Sequence, residues 1–123
     1  MKVLAVCAYG NVRSGCLSRQ LKDWYFQDAL AAGLVANTPA TLTMLFDWAD
    51  LILLTDMSLD PKNYIGSDVG KEKFHNFDVG PDRWGNPVDP ELIQIMTDKI
   101  EASKLFPPRR TLDELKAHTR TTG

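Results

Sequence analysis

The chain is poor in the residues that build metal centres and disulfide frameworks. Two cysteines, Cys7 and Cys16, and two histidines, His75 and His118, stand among 123 residues. Two cysteines cannot make a disulfide scaffold. The histidines show no ligand spacing, so no zinc pattern is present, and the expected metal and cofactor complement is none. An excess of charge of one sign is also missing, since 14 Lys and Arg face 16 Asp and Glu for a net of −2. That balance gives no global basic field, and nucleic acid is not expected as a partner. No apolar run approaches the roughly 20 residues of a membrane span. Residues 1–7 are too short for a signal-peptide core and lack its flanks, so no membrane association is expected and the cytoplasm is the expected compartment. Internal repeats and low-complexity stretches are absent as well.

What is there is the composition of an ordinary soluble domain, 44% hydrophobic and 24% charged. The length fits one domain over residues 1–123, and such a chain buries roughly two-thirds of its unfolded surface. From about residue 107 the chain becomes a polar tail. Residues 2–7 form an apolar run with β-branched members and predict a buried strand. A glycine-containing loop follows, and Ser14 opens a helical pattern in which Leu17, Leu21, Trp24 and Tyr25 share a face. Gly33 is expected to end that helix or follow it closely. A short second strand is expected near residues 32–35. Thr38-Pro39 reads as an N-cap with proline at the first helical position, with Leu42, Leu45 and Ala49 facing one way. Residues 51–55 are continuously apolar to their end, as suits a strand covered on both faces. Residues 56–64 are turn-rich, with room for a short helix, and 66–71 read as a loop. Residues 73–79 give a last strand and 80–87, rich in Gly and Pro, a loop. Asp89-Pro90 caps a further helix with Leu92, Met96 and Ile100 aligned; Pro107-Pro108 breaks it. One tail helix is expected over 112–117, and Arg109-Arg110 is expected to be a solvated pair. Alternating strands and helices predict an α/β domain with a mostly parallel sheet. Ligands of such sheets lie at the carboxyl ends of the strands. The loops at 7–14 and 79–86 both follow strands, so they are expected to share one face.

The first loop reads Cys7-Ala8-Tyr9-Gly10-Asn11-Val12-Arg13-Ser14, a cysteine, five residues, an arginine and a serine. A strand-to-helix loop of this length can turn its backbone N–H groups inward as a nest for a tetrahedral oxyanion. The following helix adds its positive end. Arg13 can grip two oxygens of the anion in a bidentate fork, with Cys7 at the base. Helix N-termini and cationic neighbours favour a thiolate, and Ser14 can donate a hydrogen bond to the sulfur. Gly10 and Asn11 suit a loop that needs positive φ.

This stretch resembles the signature of the low-molecular-weight protein tyrosine phosphatases and their arsenate reductase relatives. Ala31-Ala32-Gly33 is similar to the family's segment after the first helix, and Ala49-Asp50-Leu51-Ile52-Leu53 to its third-strand entry. Residues 78–86 resemble the late loop that carries the family's catalytic aspartate ahead of aromatics and a glycine. The match spans residues 2 to about 105, and its specific part is the first loop. The resemblance implies a single three-layer domain with a four-stranded parallel sheet, order 2-1-3-4, flanked by helices, with a phosphate-binding loop after the first strand. It implies a cysteine-dependent phosphatase, with Cys7 as nucleophile and Arg13 as phosphate grip. Asp82 would be the general acid and then base, with Asp78 as the fallback, and Ser14 would support the departing thiolate. Ala8, Tyr9, Gly10, Asn11, Val12 and Arg13 would line the phosphate site, with Trp84 against the ester group. The expected substrate is a phosphate monoester or phosphoprotein, and phosphotyrosine is the family's suggestion.

Three readings stay open on the sequence. Trp84 serves either the pocket or the core. Cys16 is either a core residue or a redox partner that shields Cys7 as a disulfide. The scaffold also admits two other functions. One is arsenate reduction resolved by an external thiol, since no cysteine follows Cys16 to serve a relay. The other is a non-catalytic phosphate-binding module, to be told apart by whether an acid reaches the pocket.

Overall fold

A computed structural model gives the fold and describes residues 1–9, 11–55, 71–80 and 83–122. Chain order is β1 (Lys2–Cys7), α1 (Arg13–Trp24), β2 (Asp28–Gly33), α2 (Pro39–Trp48), β3 (Leu51–Leu54), a 3-10 turn (Lys71–Lys73), β4 (Phe74–Asn76), α3 (Pro90–Ser103) and α4 (Leu112–Thr122). The four strands form one sheet in the order β2-β1-β3-β4, and each neighbouring pair is parallel. β1 lies inside, with Lys2 to Cys7 paired to Asp28 to Gly33 on one side and Val3 to Val6 paired to Leu51 to Leu54 on the other.

Alternation along β1 builds a core on each face, because successive side chains of a strand point opposite ways. Val3 and Ala5 pack with Leu51 and Leu53 beneath Leu17 and Leu21 of α1 and Leu92, Met96 and Ile100 of α3. Leu4, Val6 and Ile52 pack on the other face with Leu42 and Phe46 of α2. The result is the expected three-layer α/β arrangement with the expected strand order. Continuous apolar strands belong here, since both faces of the sheet are covered. Among the described residues no helix is long and apolar enough to cross a membrane.

Several elements differ from the sequence reading: α3 already ends at Ser103, with Lys104 in the left-handed position, and α4 runs on to Thr122. α1 stops at Trp24 because Phe26 takes φ 63°, the left-handed position more often given to glycine, and the Gln27 N–H turns back to donate to Leu21 O at 3.2 Å. The strand expected at 32–35 therefore starts earlier, at Asp28. The last strand is reduced to Phe74–Asn76. Of the pair expected to be solvated, Arg109 is exposed but lies with its guanidinium carbon 3.9 Å over the Trp24 ring, and Arg110 is half-buried with its own 4.0 Å over the Phe26 ring. The Arg110 N–H also donates to Trp24 O at 2.7 Å, so a basic segment closes the negative end of α1. The turn-rich stretch expected at 56–64, and the loop at 66–70, lie outside the described residues; Lys71 belongs to the 3-10 turn.

The order 2-1-3-4 fixes where a ligand can sit. From β1 the chain moves out to β2, then returns past β1 to β3 on its other side. The carboxyl end of β1 is therefore the switch point, where connections leave in opposite directions and open a crevice.

Candidate active site

Cys7 is the last residue of β1 and stands at that switch point. Two hydrogen bonds fasten the chain there. The Leu34 N–H donates to Cys7 O at 2.9 Å, and the Val35 N–H donates to Ala8 O at 2.7 Å. The loop thus leaves a strand that is held from the β2 side past its own end. Cys7 is 4% exposed, whereas Tyr9 is 63% exposed and stands on the rim with Val35, also exposed. Asn11 is exposed and Val12 half-buried against the core. Gly10 lies outside the described residues.

Val12 precedes α1 and offers no side-chain cap, and the first turn of the helix carries no acidic residue. The positive end of α1 is therefore not neutralised by a carboxylate of its own first turn, which suits an incoming anion. Arg13 and Ser14 are both buried. Ser14 Oγ lies 3.1 Å from Cys7 Sγ in a buried contact, so the hydroxyl can donate to a thiolate. Arg13 Nη1 donates to Gly80 O at 3.1 Å, which brings the loop after β4 against the loop after β1. The structure thus joins Cys7, Arg13 and Ser14 with the Gly80 segment on one face, as expected of two loops that follow parallel strands.

The other sequence-derived residues are placed differently. Asp82 lies outside the described residues. Asp78 is exposed, and its Oδ1 accepts the Gly80 N–H at 2.9 Å. Trp84 is 6% exposed and belongs to the core with Val79, Phe77 and Leu92. Arg83 lies over its ring with Cζ 4.3 Å from the centroid and pairs with Glu91. Cys16 is wholly buried on the inner face of α1, and desolvation pushes its thiol up to about 11, with Asp89 adding to the shift and Arg19 opposing it. Gly15 meets Pro87 Cβ at 3.7 Å from where a Cβ would stand, so Pro87 packs beside the start of α1.

The sequence reading missed Thr55 and Gly80. Thr55 is buried just past β3, and its hydroxyl and N–H both donate to Val6 O at 2.9 Å. This locks the residue before Cys7 from the β3 side. Gly80 carries the carbonyl that meets Arg13. A local signal for it existed in Asp78-Val79-Gly80, since aspartate two residues ahead of glycine favours a side-chain-closed turn.

No protein-family model matches the chain, and no curated protein sequence matches it. Among solved structures, the chain is similar to YwlE arginine phosphatase, a mutant with a phosphorylated active-site serine, with a TM-score of 0.54 and 17% identity over 85% of this chain and 97% of that one. At that identity the likeness shows the fold: an α/β scaffold shared with a cysteine-based phosphatase.

Proposed function

We propose that this chain is a cysteine-dependent phosphatase related to the low-molecular-weight protein tyrosine phosphatases, with Cys7 as nucleophile. The observation that carries the reading is the buried contact between Cys7 Sγ and Ser14 Oγ at the sheet's switch point. Arg13, which follows Cys7 after five intervening residues and directly precedes Ser14, is buried too. The shared fold with a phosphatase supports it.

In the proposed reaction the phosphoryl group rests on the N–H groups of residues 8–13 and on the guanidinium of Arg13. The Cys7 thiolate attacks phosphorus in line, and a sulfur–phosphorus bond forms as the bond to the leaving atom breaks. Asp82 gives its proton to that leaving atom. Water then attacks the cysteinyl-phosphate, Asp82 takes the water's proton, and the thiolate leaves with Ser14 donating to it. Hydrolysis of phosphate monoesters is among the slowest uncatalysed reactions, so efficient turnover needs on the order of 20 kcal/mol of barrier lowering. Preorganised backbone dipoles and Arg13 would supply most of it.

Exposed Tyr9 on the rim offers a flat face to a substrate that is itself flat. An aryl ester fits that description, and phosphotyrosine is the reading from the family resemblance. The fold neighbour's name adds a second substrate to test, phosphoarginine, whose guanidinium is also planar. Hydrolysis of para-nitrophenyl phosphate and of phosphoarginine across about pH 5 to 8 tests the reading. Wild-type turnover should fall to background in Cys7→Ser, and by roughly 100-fold or more in Asp82→Asn. Ser14→Ala should slow the second step, so that cysteinyl-phosphate accumulates after a burst. Oxyanion binding without turnover of either substrate would favour a phosphate-binding module, and arsenate turnover dependent on an added thiol would favour a reductase.

A further inference from the structure

The segment that leaves β4 is built to hold the backbone of one residue, Gly80, still from both sides. The Phe77 N–H donates to Leu54 O at 2.7 Å and the Val79 N–H to Thr55 O at 3.2 Å, so the chain stays tied to the end of β3 beyond its own strand. Asp78 Oδ1 then accepts the Gly80 N–H at 2.9 Å and closes a tight turn. Gly80 takes φ 87°, in the region that favours glycine. The carbonyl of this same residue accepts Arg13 Nη1 at 3.1 Å, across 67 positions of sequence. A guanidinium is planar and carries its donors in a fixed fork. Fastening one of its nitrogens therefore restricts where the others point.

We propose that Asp78 is a positioning residue for Arg13. By closing the turn at Gly80 it aims the Gly80 carbonyl at the guanidinium, and so holds the fork in the orientation that grips an oxyanion above Cys7. The inference rests on the phosphate-binding reading of the first loop and gives Asp78 a part distinct from proton transfer. What matters at this position is an acceptor oxygen at Oδ1, not a titrating carboxyl. Asparagine can supply that oxygen, and alanine cannot.

The test compares wild type, Asp78→Asn and Asp78→Ala. Isothermal titration with inorganic phosphate and with orthovanadate measures binding apart from turnover. The pH–rate profile on para-nitrophenyl phosphate measures proton transfer, and far-UV circular dichroism checks the fold. Asp78→Asn should bind both oxyanions within roughly twofold of wild type and keep both limbs of the profile. Asp78→Ala should bind them roughly 3- to 10-fold more weakly, with kcat/KM down by a similar factor and the profile unchanged in shape. Should Asp78→Ala fail to fold, Gly80→Ala carries the test. It strains the turn, while its new Cβ meets no atom within 4 Å, and it should weaken binding in the same direction. Oxyanion affinity unchanged in the folded variant would overturn the proposal and leave the phosphatase reading intact. An alkaline limb lost in Asp78→Asn would overturn it in favour of Asp78 as the acid. Wild type that binds neither oxyanion would overturn the phosphate-binding reading and this proposal with it.

Discussion

Cys7 and Cys16 belong to one loop-and-helix unit yet have opposite surroundings. Cys7 Sγ faces a hydroxyl 3.1 Å away at the mouth of the helix. Cys16 points into the core beside Leu17 and Leu21, where burial holds its thiol up to about 11. A thiol held that high supplies little thiolate near neutral pH and is a poor partner in disulfide exchange. Iodoacetamide at about pH 7.5 should therefore label Cys7 in the native protein, and inorganic phosphate should slow that labelling. Cys16 should become reactive only in urea. Peptide mass spectrometry reads both sites, and equal native labelling of the two cysteines would contradict this assignment. At this scale the sequence was informative wherever residues lie close along the chain. Cys7, Arg13 and Ser14 are placed by a short loop between a strand and a helix, so their spacing carries their geometry. The partnership of Arg13 with Gly80 spans 67 positions and comes from parallel β3–β4 pairing, which no local pattern reveals.

Helix starts were legible and helix stops were less so. Thr38 and Asp89 are N-caps whose side chains accept the N–H groups of Thr41 and Glu91, and each is followed by proline. Cap chemistry is local, so it is written in adjacent residues. The end of α1 uses no glycine. Phe26 takes the left-handed position itself, and Arg110 both packs on its ring and closes Trp24 O from the far end of the chain. A stop that depends on a segment so remote cannot be read from the helix. Two changes probe these elements. Asp89→Ala removes the cap of α3, which carries Leu92, Met96 and Ile100 into the core. It should cost about 1 kcal/mol, read as a lower urea midpoint. Tyr25 is buried and donates to Glu101 Oε1 at 2.7 Å, and desolvation with that acidic neighbour raises its pKa above the usual 10.0. The folded chain thus keeps a proton that the unfolded chain releases. The stabilisation is complete below about pH 10 and declines as pH rises beyond it. Tyr25→Phe should cost about 1 kcal/mol at pH 8, and its gap from wild type should narrow at pH 10.5.

At the scale of the molecule, one sheet with a core on each face has to be stabilised from both sides. Phe46 fills the α2 side, fully buried and edge-on to Phe74 with centroids 5.6 Å apart. Leu92 fills the α3 side. Both cores share β1 and β3, so loss on either face should lower one common transition. Phe46→Ala should cost about 3–5 kcal/mol and Leu92→Ala about 2–5 kcal/mol. Far-UV circular dichroism and tryptophan fluorescence should give coincident urea curves in each case, and separate transitions would show that the two faces unfold independently. Phe46 was not singled out from the sequence, because the α2 face was read from Leu42, Leu45 and Ala49 and its period admits more than one apolar stripe.

The inner place of β1 has a consequence for how the chain is made. This strand leaves the ribosome before either of its partners, and its second ladder closes only when Leu51–Leu54 has followed. Until then Val3 to Val6 present an apolar strand with an open edge, the kind of surface that recruits other chains. The residue proposed as nucleophile thus sits at the end of the strand that waits longest for its shelter. A nascent chain stalled before β3 would be prone to aggregation in just the segment that leads into the proposed site.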